Sequence, residues 1–389
     1  MKLTGFGLYC GLLLSINAFS IDIILPSFAA IESDLNATLQ QVQWIVPAYM
    51  LAAGLGNPLF GLWSDRAGRK PVLIGGLLVF CIGSLLCVAA TSITALLTGR
   101  FLQGFAAASA MVICRAMLRD RFSGVALAQN MAIASMFFAL GPMIAPLAGY
   151  LIYSSLGWRS VFLALVLFGL AMLVATVAQT ETLDKSKRKH GLDSAARDML
   201  AVFLNSQSRY FMLLSCFCSA MIFTFLSHAP GFYVRYLGAS EGLFSMLFAV
   251  LSIGIIAGQW LNHRLIESLG PVVTAYRASL MVLVVAMCIL VAVVSGAISL
   301  VIFSTLMLVF NFFYLVVFSN FLSLCLDPHG AQAGTASAMY GFSSYVGGAI
   351  LSIIIGMVAA GDLLKWSICF TVLALIIAMG ARHWATRQA

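Results

Sequence analysis

Three ionisable side chains fall inside runs of hydrophobic residues, where an apolar chain rarely tolerates them: Asp22, Arg100 and His228. An ionised carboxylate in hydrocarbon costs at least ~2.5–3.5 kcal/mol, so Asp22 is expected to face an interior cavity or a partner rather than lipid. The chemistry open to such a group is to take up and release a proton, or to hold a cation. Asp22 is the one carboxylate well inside a predicted span, about nine residues or ~13 Å from the outer end of its segment. Arg100 lies about seven residues or ~10 Å from the same side. At matching depths Arg100 could hold the Asp22 anion in one state and release it in another, or the two could form a static ion pair. His228, beside Pro230, falls at a similar depth and reads equally as a hydrogen-bonded core histidine and as a cavity ligand or proton relay.

A second constellation is short and dense. Asp65, Arg66, Gly68, Arg69 and Lys70 follow one another within a loop, with Gly61 four residues before Asp65. Gly61 and Gly68 are expected to permit close backbone approach and a tight turn. Other chemistries lack their residues. The nine cysteines are scattered through apolar segments with no CxxC pair and no His/Cys cluster at ligand spacing, so they read as packing residues, and neither a metal nor a cofactor is expected. There is no HExxH, no GxSxG and no GxxxxGK[ST] loop, which argues against an enzyme and against an ATP-driven pump.

The elements that carry these residues follow from composition. The 389 residues are 62% hydrophobic and 9% charged, where a soluble domain carries about 25% charged residues. Apolar stretches of spanning length predict helices at 5–30, 41–63, 71–91, 93–118, 126–154 and 159–180, and again at 209–236, 240–265, 272–294, 297–325, 331–359 and 361–384. The apolar run after Lys2 exceeds the roughly 7–15 residues of a signal-peptide core, so it reads as a retained first helix. The fold class is therefore all-α and polytopic: an N-terminal six-helix bundle (1–180), a cytoplasmic linker (181–208) and a C-terminal six-helix bundle (209–389). Placing both termini inside puts most Lys and Arg on the cytoplasmic face, among them Lys2, Arg66, Arg69, Lys70, Lys185, Lys187, Arg188, Lys189 and Arg197, and leaves out Arg100, Arg159, Arg235 and Lys365. Topology thus accounts for the net charge of +8, and no nucleic-acid partner is expected. The halves repeat faintly. Gly61, Asp65 and Arg66 recur about 197 positions on as Gly258, Asn262 and His263, before Arg264, and the same offset carries Gly141 to Ala338.

The segment Gly61-Leu62-Trp63-Ser64-Asp65-Arg66-Ala67-Gly68-Arg69-Lys70 resembles the helix 2–3 loop signature of the major facilitator superfamily. Arg100-Phe101-Leu102-Gln103-Gly104 resembles its helix-four arginine motif, and Gly141-Pro142 with Pro146 and Gly149 the helix-five motif of its drug/proton antiporters. Asp22 to Pro26, Arg115 to Arg121 and Gly157-Trp158-Arg159 are similar to the Bcr/CflA group of drug-resistance exporters. The resemblance implies two six-helix bundles around a cavity that opens alternately to each side, with outward drug transport driven by proton entry. It also implies that Asp65 pairs with charges near the end of helix four or the start of helix eleven to lock the outward-facing state, with Asp120 in the same network. Gly141-Pro142 in mid-helix would free a carbonyl and bend the helix, as a gate or hinge does.

For substrate contacts, Tyr9, Asn17, Tyr49, Met136 and Phe137 in the first half are plausible inward positions by segment, as are Phe223, Tyr233, Asn311, Phe312 and Tyr340 in the second. Aromatic and Met-rich walls suit bulky amphipathic ligands. Where some relatives carry a second acid two turns before the intramembrane Asp, this chain has Leu14, so neutral or zwitterionic compounds such as amphenicol-type or bicyclic antibiotics are expected over cations. The partners expected are protons, small amphipathic drugs or metabolites and the lipid bilayer of a bacterial inner membrane, with the chain a monomer. Export of an endogenous metabolite such as a siderophore or amino acid derivative stays open, and so does a receptor that binds without moving its ligand.

Overall fold

Backbone N–H and C=O groups in hydrocarbon must be satisfied within the chain, and here helices do it. The computed structural model describes residues 5–188 and 192–388; Lys2 and Lys189 lie outside the described residues. In chain order the α-helices are α1 (Gly5–Asp22), α2 (Phe28–Asp34), α3 (Leu39–Gln43), α4 (Ile45–Ala67), α5 (Arg69–Val88), α6 (Ile93–Arg121), α7 (Gly124–Leu156), α8 (Trp158–Val177), α9 (Leu192–Leu204), α10 (Ser206–Pro230), α11 (Glu241–Val294), α12 (Leu300–Leu326), α13 (Ala333–Ala359) and α14 (Leu363–Gln388). Among the described residues there is no strand, and eleven segments are long and apolar enough to cross a membrane.

Several boundaries have local causes. The Ser92, Ser240 and Ser299 hydroxyls accept the Ala95, Leu243 and Ile302 backbone N–H at 3.2, 3.2 and 3.3 Å, capping α6, α11 and α12. The 54 residues of α11 would run ~81 Å as one rod, over twice a ~30 Å hydrocarbon core. Its backbone leaves the helix at Gly270 (φ 72°, ψ 166°), followed by Pro271.

The first segment differs from the single helix expected over 5–30. Regular α-structure stops at Asp22, a 3-10 turn covers Leu25–Ser27, and α2 resumes at Phe28. Pro26 is the cause: it has no N–H for the Asp22 carbonyl and its ring crowds the preceding turn. The stretch 181–208 holds more structure than a polar linker requires, namely a 3-10 turn at Lys185–Lys187 and the helix α9. Conversely α7 is helical without interruption through Pro142 and Pro146, where a hinge was expected.

The chain forms two compact units, one of residues up to Ala37 with Ala48–Arg197, the other of Thr38–Pro47 with Asp198–Ala389. Inside the first, α1 packs on α6 and α7, and α5 on α6 and α8. Inside the second, α10 packs on α12 and α13, and α11 on α12 and α14. The same pairing thus recurs in each. Backbones meet where side chains are missing: a Cβ at Gly149 of α7 would strike the Ile23 carbonyl, one at Gly104 of α6 the Tyr49 carbonyl, and one at Gly258 of α11 the Phe312 carbonyl.

Gly149→Leu therefore forces α7 away from Ile23, just past the end of α1, and is expected to cost about 1–3 kcal/mol. Gly75→Ala is the control, because its Cβ would meet nothing within 4 Å. Melting temperatures of the purified variants in one detergent check this: a clear drop for the first and none for the second.

Candidate functional site

The centre of the first unit is polar, and Arg100 organises it. Its side chain is 0% exposed. One Nη1 donates to the Ser20 carbonyl at 3.0 Å, in the last turn of α1, and also to the Gln103 amide oxygen. Gln103 donates in turn to the Ser84 hydroxyl of α5 at 2.7 Å. The guanidinium lies 4.4 Å over the Tyr49 ring of α4, whose hydroxyl donates to Asn17 Oδ1 of α1 at 2.8 Å. Asn17 Nδ2 points at the Met111 sulfur of α6, 3.8 Å away. Four membrane helices are thus tied through one cation. A positive charge at the carbonyl end of α1 is where a helix dipole favours it, and an aromatic face adds attraction in a dry site.

Asp22 lies two residues past the carbonyl that Arg100 binds, is 4% exposed, and ends α1. No ion pair joins it to Arg100 among the described residues. The static pair, one of the two arrangements expected, is not formed: carbonyl, amide and ring face the guanidinium, and Asp22 is a buried acid with no ion pair among the described residues. The signal that sequence reasoning missed was Gln103, inside the quoted arginine motif, and Ser84, a lone hydroxyl in an apolar helix.

The other candidates disperse. Tyr9 hydrogen-bonds Thr176 of α8 at 2.9 Å. Phe137 lies on Gly11 of α1 and Met136 is 46% exposed. Gly141 and Gly149 of α7 sit against Ala18 and the Ile23 carbonyl, contacts between helices within one unit. In the second unit His228 donates from Nδ1 to the Thr224 carbonyl of its own helix at 2.8 Å, while its buried Nε2 has no partner among the described residues. Phe223 packs on Tyr345 at 5.6 Å, and Tyr233, in a π-helical turn over Gly231–Tyr236, packs on Phe244 and Phe303. Asn311 is buried, Phe312 contacts Phe313, and the Tyr340 hydroxyl donates to the Phe318 carbonyl at 2.8 Å.

The loop constellation does assemble. Arg69 bridges Asp65 at 2.5 Å and Asp120, in the last turn of α6, at 3.0 Å, and also donates to the Ser64 hydroxyl. Glu181, just beyond α8, accepts the backbone N–H of Arg69 and of Lys70 at 3.0 and 3.1 Å. It caps the N-terminus of α5 as an anion should. Lys70 reaches back to the Val177 carbonyl at 2.7 Å, and Thr182 donates to Asp120. Gly68 (φ 105°) makes the turn from α4 to α5, and a Cβ there would come within 2.5 Å of the Glu181 carboxylate. Only glycine fits. Two expectations need correcting. A Cβ at Gly61 would make an ordinary 3.6 Å contact with Val112, so that position needs no glycine. Arg66 joins none of these ion pairs among the described residues. Glu181 and Thr182 escaped the sequence reading because nothing in the chain order places them beside Asp65, and Ser64, next to Asp65 in the chain, escaped it because a hydroxyl carries no charge.

The repeated position in the second unit is neutral: Asn262 accepts from Asn320 Nδ2 at 2.7 Å.

At the end of the first unit away from this loop, Arg159 pairs with Asp34 at 2.6 Å, lies over the Trp158 ring at 4.3 Å and donates to the Ala90 carbonyl. Trp158 donates to the same Asp34.

The family model described as Major Facilitator Superfamily matches residues 10–352. The chain is 28% identical to "Bicyclomycin resistance protein homolog" of Haemophilus influenzae, covering 68% of this chain and 67% of that protein. It is 26% identical to "Multidrug resistance protein MdtL" of Klebsiella pneumoniae, covering 92% and 90%. Among solved structures, a D-xylose–proton symporter superposes with TM-score 0.77 over 95% of this chain and 96% of its own; at 14% identity this likeness concerns the fold alone.

Removing the carboxylate at Glu181 leaves two N–H groups of α5 without their acceptor. Glu181→Ala is expected to cost about 1 kcal/mol, and amide hydrogen exchange at Arg69 and Lys70 checks it. Faster exchange at those two amides with the middle of α5 unchanged is the expected result.

Proposed function

Because the chain belongs to the Major Facilitator Superfamily, we propose that it is a proton-coupled exporter of small amphipathic drugs working by alternating access. It is a multi-pass membrane transporter, not an enzyme. The proposed arrangement has twelve spans, α11 supplying two of them on either side of Gly270, in bundles of residues 1–180 and 209–389 joined by 181–208. Both termini face the cytoplasm of a bacterial inner membrane, as the distribution of Lys and Arg favours, and the transporting species is a monomer.

The observation that carries the reading is Asp22: a buried acid at the end of α1 with no ion pair among the described residues, beside a helix turn that Arg100 pins. Asp22 takes a proton from the outer side and gives it up inside, and drug binding and release are linked to those steps. Arg100 acts as a positioning residue, fixing the α1 terminus and contributing a positive field to the same chamber. Asp65, Arg69, Asp120 and Gly68 form the conformational lock, with Gly61 and Arg66 as its neighbours, and Gly141, Pro142, Pro146 and Gly149 shape the wall that moves against α1. Tyr9, Asn17, Tyr49, Met136 and Phe137, with Phe223, His228, Tyr233, Asn311, Phe312 and Tyr340, are proposed for the substrate path. Relatives named for bicyclomycin and multidrug resistance support drugs as the cargo, and Leu14, where a second acid stands in some relatives, favours neutral or zwitterionic ones.

Proteoliposomes with an imposed pH gradient and a mixed panel of amphenicols, bicyclic antibiotics and lipophilic cations test this. Wild type is expected to concentrate at least one neutral compound. Asp22→Asn is expected to drop gradient-driven uptake to the level of empty vesicles while keeping drug exchange at equal pH. An Asp22→Asn protein that still concentrates drug with an unchanged pH profile removes Asp22 as the coupling site.

A further inference from the structure

The end of α4 and the first turns of α5 face each other across a slot of about 530 Å³. Phe60, Trp63 and Arg66 line it from α4, three residues apart and so on one stripe; Val72, Gly75 and Val79 line it from α5, and Phe105 of α6 closes the back. Phe60 stands edge-on to Trp63 at 5.5 Å and tilts against Phe105 at 5.2 Å, which makes one wall a fixed block of rings. The other wall is open because α5 has no side chain there. Gly76 must be small, since a Cβ would strike Ser109, but a Cβ at Gly75 would meet nothing within 4 Å. Packing therefore gives no reason for a glycine at 75, a residue that weakens a helix; what it leaves is empty space.

Arg66 sets the polarity of the slot. Its neighbours in sequence, Asp65 and Arg69, are spent on each other and on Asp120, while Glu181 is taken by the α5 backbone. Among the described residues Arg66 has no ion pair, and it sits at the loop end of the slot. Phe60 lies about 9 Å deeper, and Val79 lies about 15 Å along α5 from its start at the loop, at 1.5 Å per residue. Leu78, beside Val79, and Ile82, one turn deeper on α5, are exposed, continuing an apolar strip away from the charge. A cation at the loop end and a hydrocarbon track running inward match one kind of molecule.

We infer that this slot binds one phospholipid with an anionic headgroup, its phosphate on Arg66 and an acyl chain lying along Gly75 between Trp63, Phe60 and Val72. An acyl chain gains little from leaving other lipid tails for an apolar protein groove, so the headgroup contact supplies the selectivity and the missing side chain at Gly75 supplies the room. This inference is independent of the export reading.

Native mass spectrometry of the full chain in detergent, titrated with phosphatidylglycerol or phosphatidylcholine of identical chains, tests it without any transport measurement. Wild type is expected to carry phosphatidylglycerol about fivefold more readily than phosphatidylcholine, the worth of one basic residue near an anionic surface. Arg66→Gln is expected to bring that ratio towards one and Arg66→Lys to restore most of it. Gly75→Leu, whose added atoms enter open space, is expected to remove the adduct while the melting temperature holds. Equal binding of the two lipids to wild type overturns the inference, and so does an adduct that survives both Arg66→Gln and Gly75→Leu. A dimer in place of the lipid adduct, lost in Gly75→Leu, overturns it by assigning the slot to a second copy.

Discussion

A guanidinium sealed in the middle of the first unit, with no ion pair among the described residues, constrains much of the helix arrangement around it. Burying an unpaired charge is costly, and groups of negative character from three helices face Arg100, although its Nε and Nη2 find no hydrogen-bond partner among the described residues. The Ser20 carbonyl comes from α1, the Gln103 amide oxygen from α6 itself and the Tyr49 ring from α4. Gln103 can hold its oxygen towards Arg100 because its amide nitrogen is anchored on Ser84 of α5. Gly104, one residue on, is glycine because the backbone of α4 must come close enough to lay Tyr49 over the charge. The helix-four motif is thus one device: cation, orienting amide, and the gap that admits the aromatic lid.

That arrangement decides what Asp22 is. Had the arginine gone to the acid, the pair would be a neutral strut. With Arg100 committed to the carbonyl end of α1, Asp22 is a separate group at the same helix terminus, just before the interruption that Pro26 imposes. A carboxyl in this position can change its proton without breaking a salt bridge first. The coupling mechanism proposed for the chain depends on that freedom.

The charged loop follows a different logic. It lies at a helix junction where two backbone N–H groups of α5 need an acceptor, and Glu181 supplies it from just beyond the adjacent α8. Arg69 turns away to gather Asp65 and Asp120, which leaves Arg66, three residues earlier, facing the apolar slot. Two arginines in one short motif therefore have opposite fates, one inside a charge network and one at the mouth of an apolar slot beside α4. The second unit repeats the helix pairing but not the charges: Asn262 and Asn320 make a neutral contact at the corresponding place.

The sequence by itself determined the material of this fold and the places where it changes. Runs of apolar residues can only be helices in a membrane, because hydrocarbon offers a backbone no partners; Gly270-Pro271 and Pro26 break helices by covalent geometry; and buried Asp22 and Arg100 stand out because charge in lipid is expensive. The dense loop around Asp65 was legible for the same reason, and Gly68 as its turn. What only the tertiary structure decided is who meets whom. Ser20, Gln103 and Ser84 carry no charge, so nothing in their spelling marks them as the partners of Arg100, and Glu181 lies more than a hundred residues from the helix it caps. Hydrogen bonds between helices depend on register and facing. Those are set by where Gly104 and Gly149 let backbones touch, a property of packing that a linear pattern does not contain.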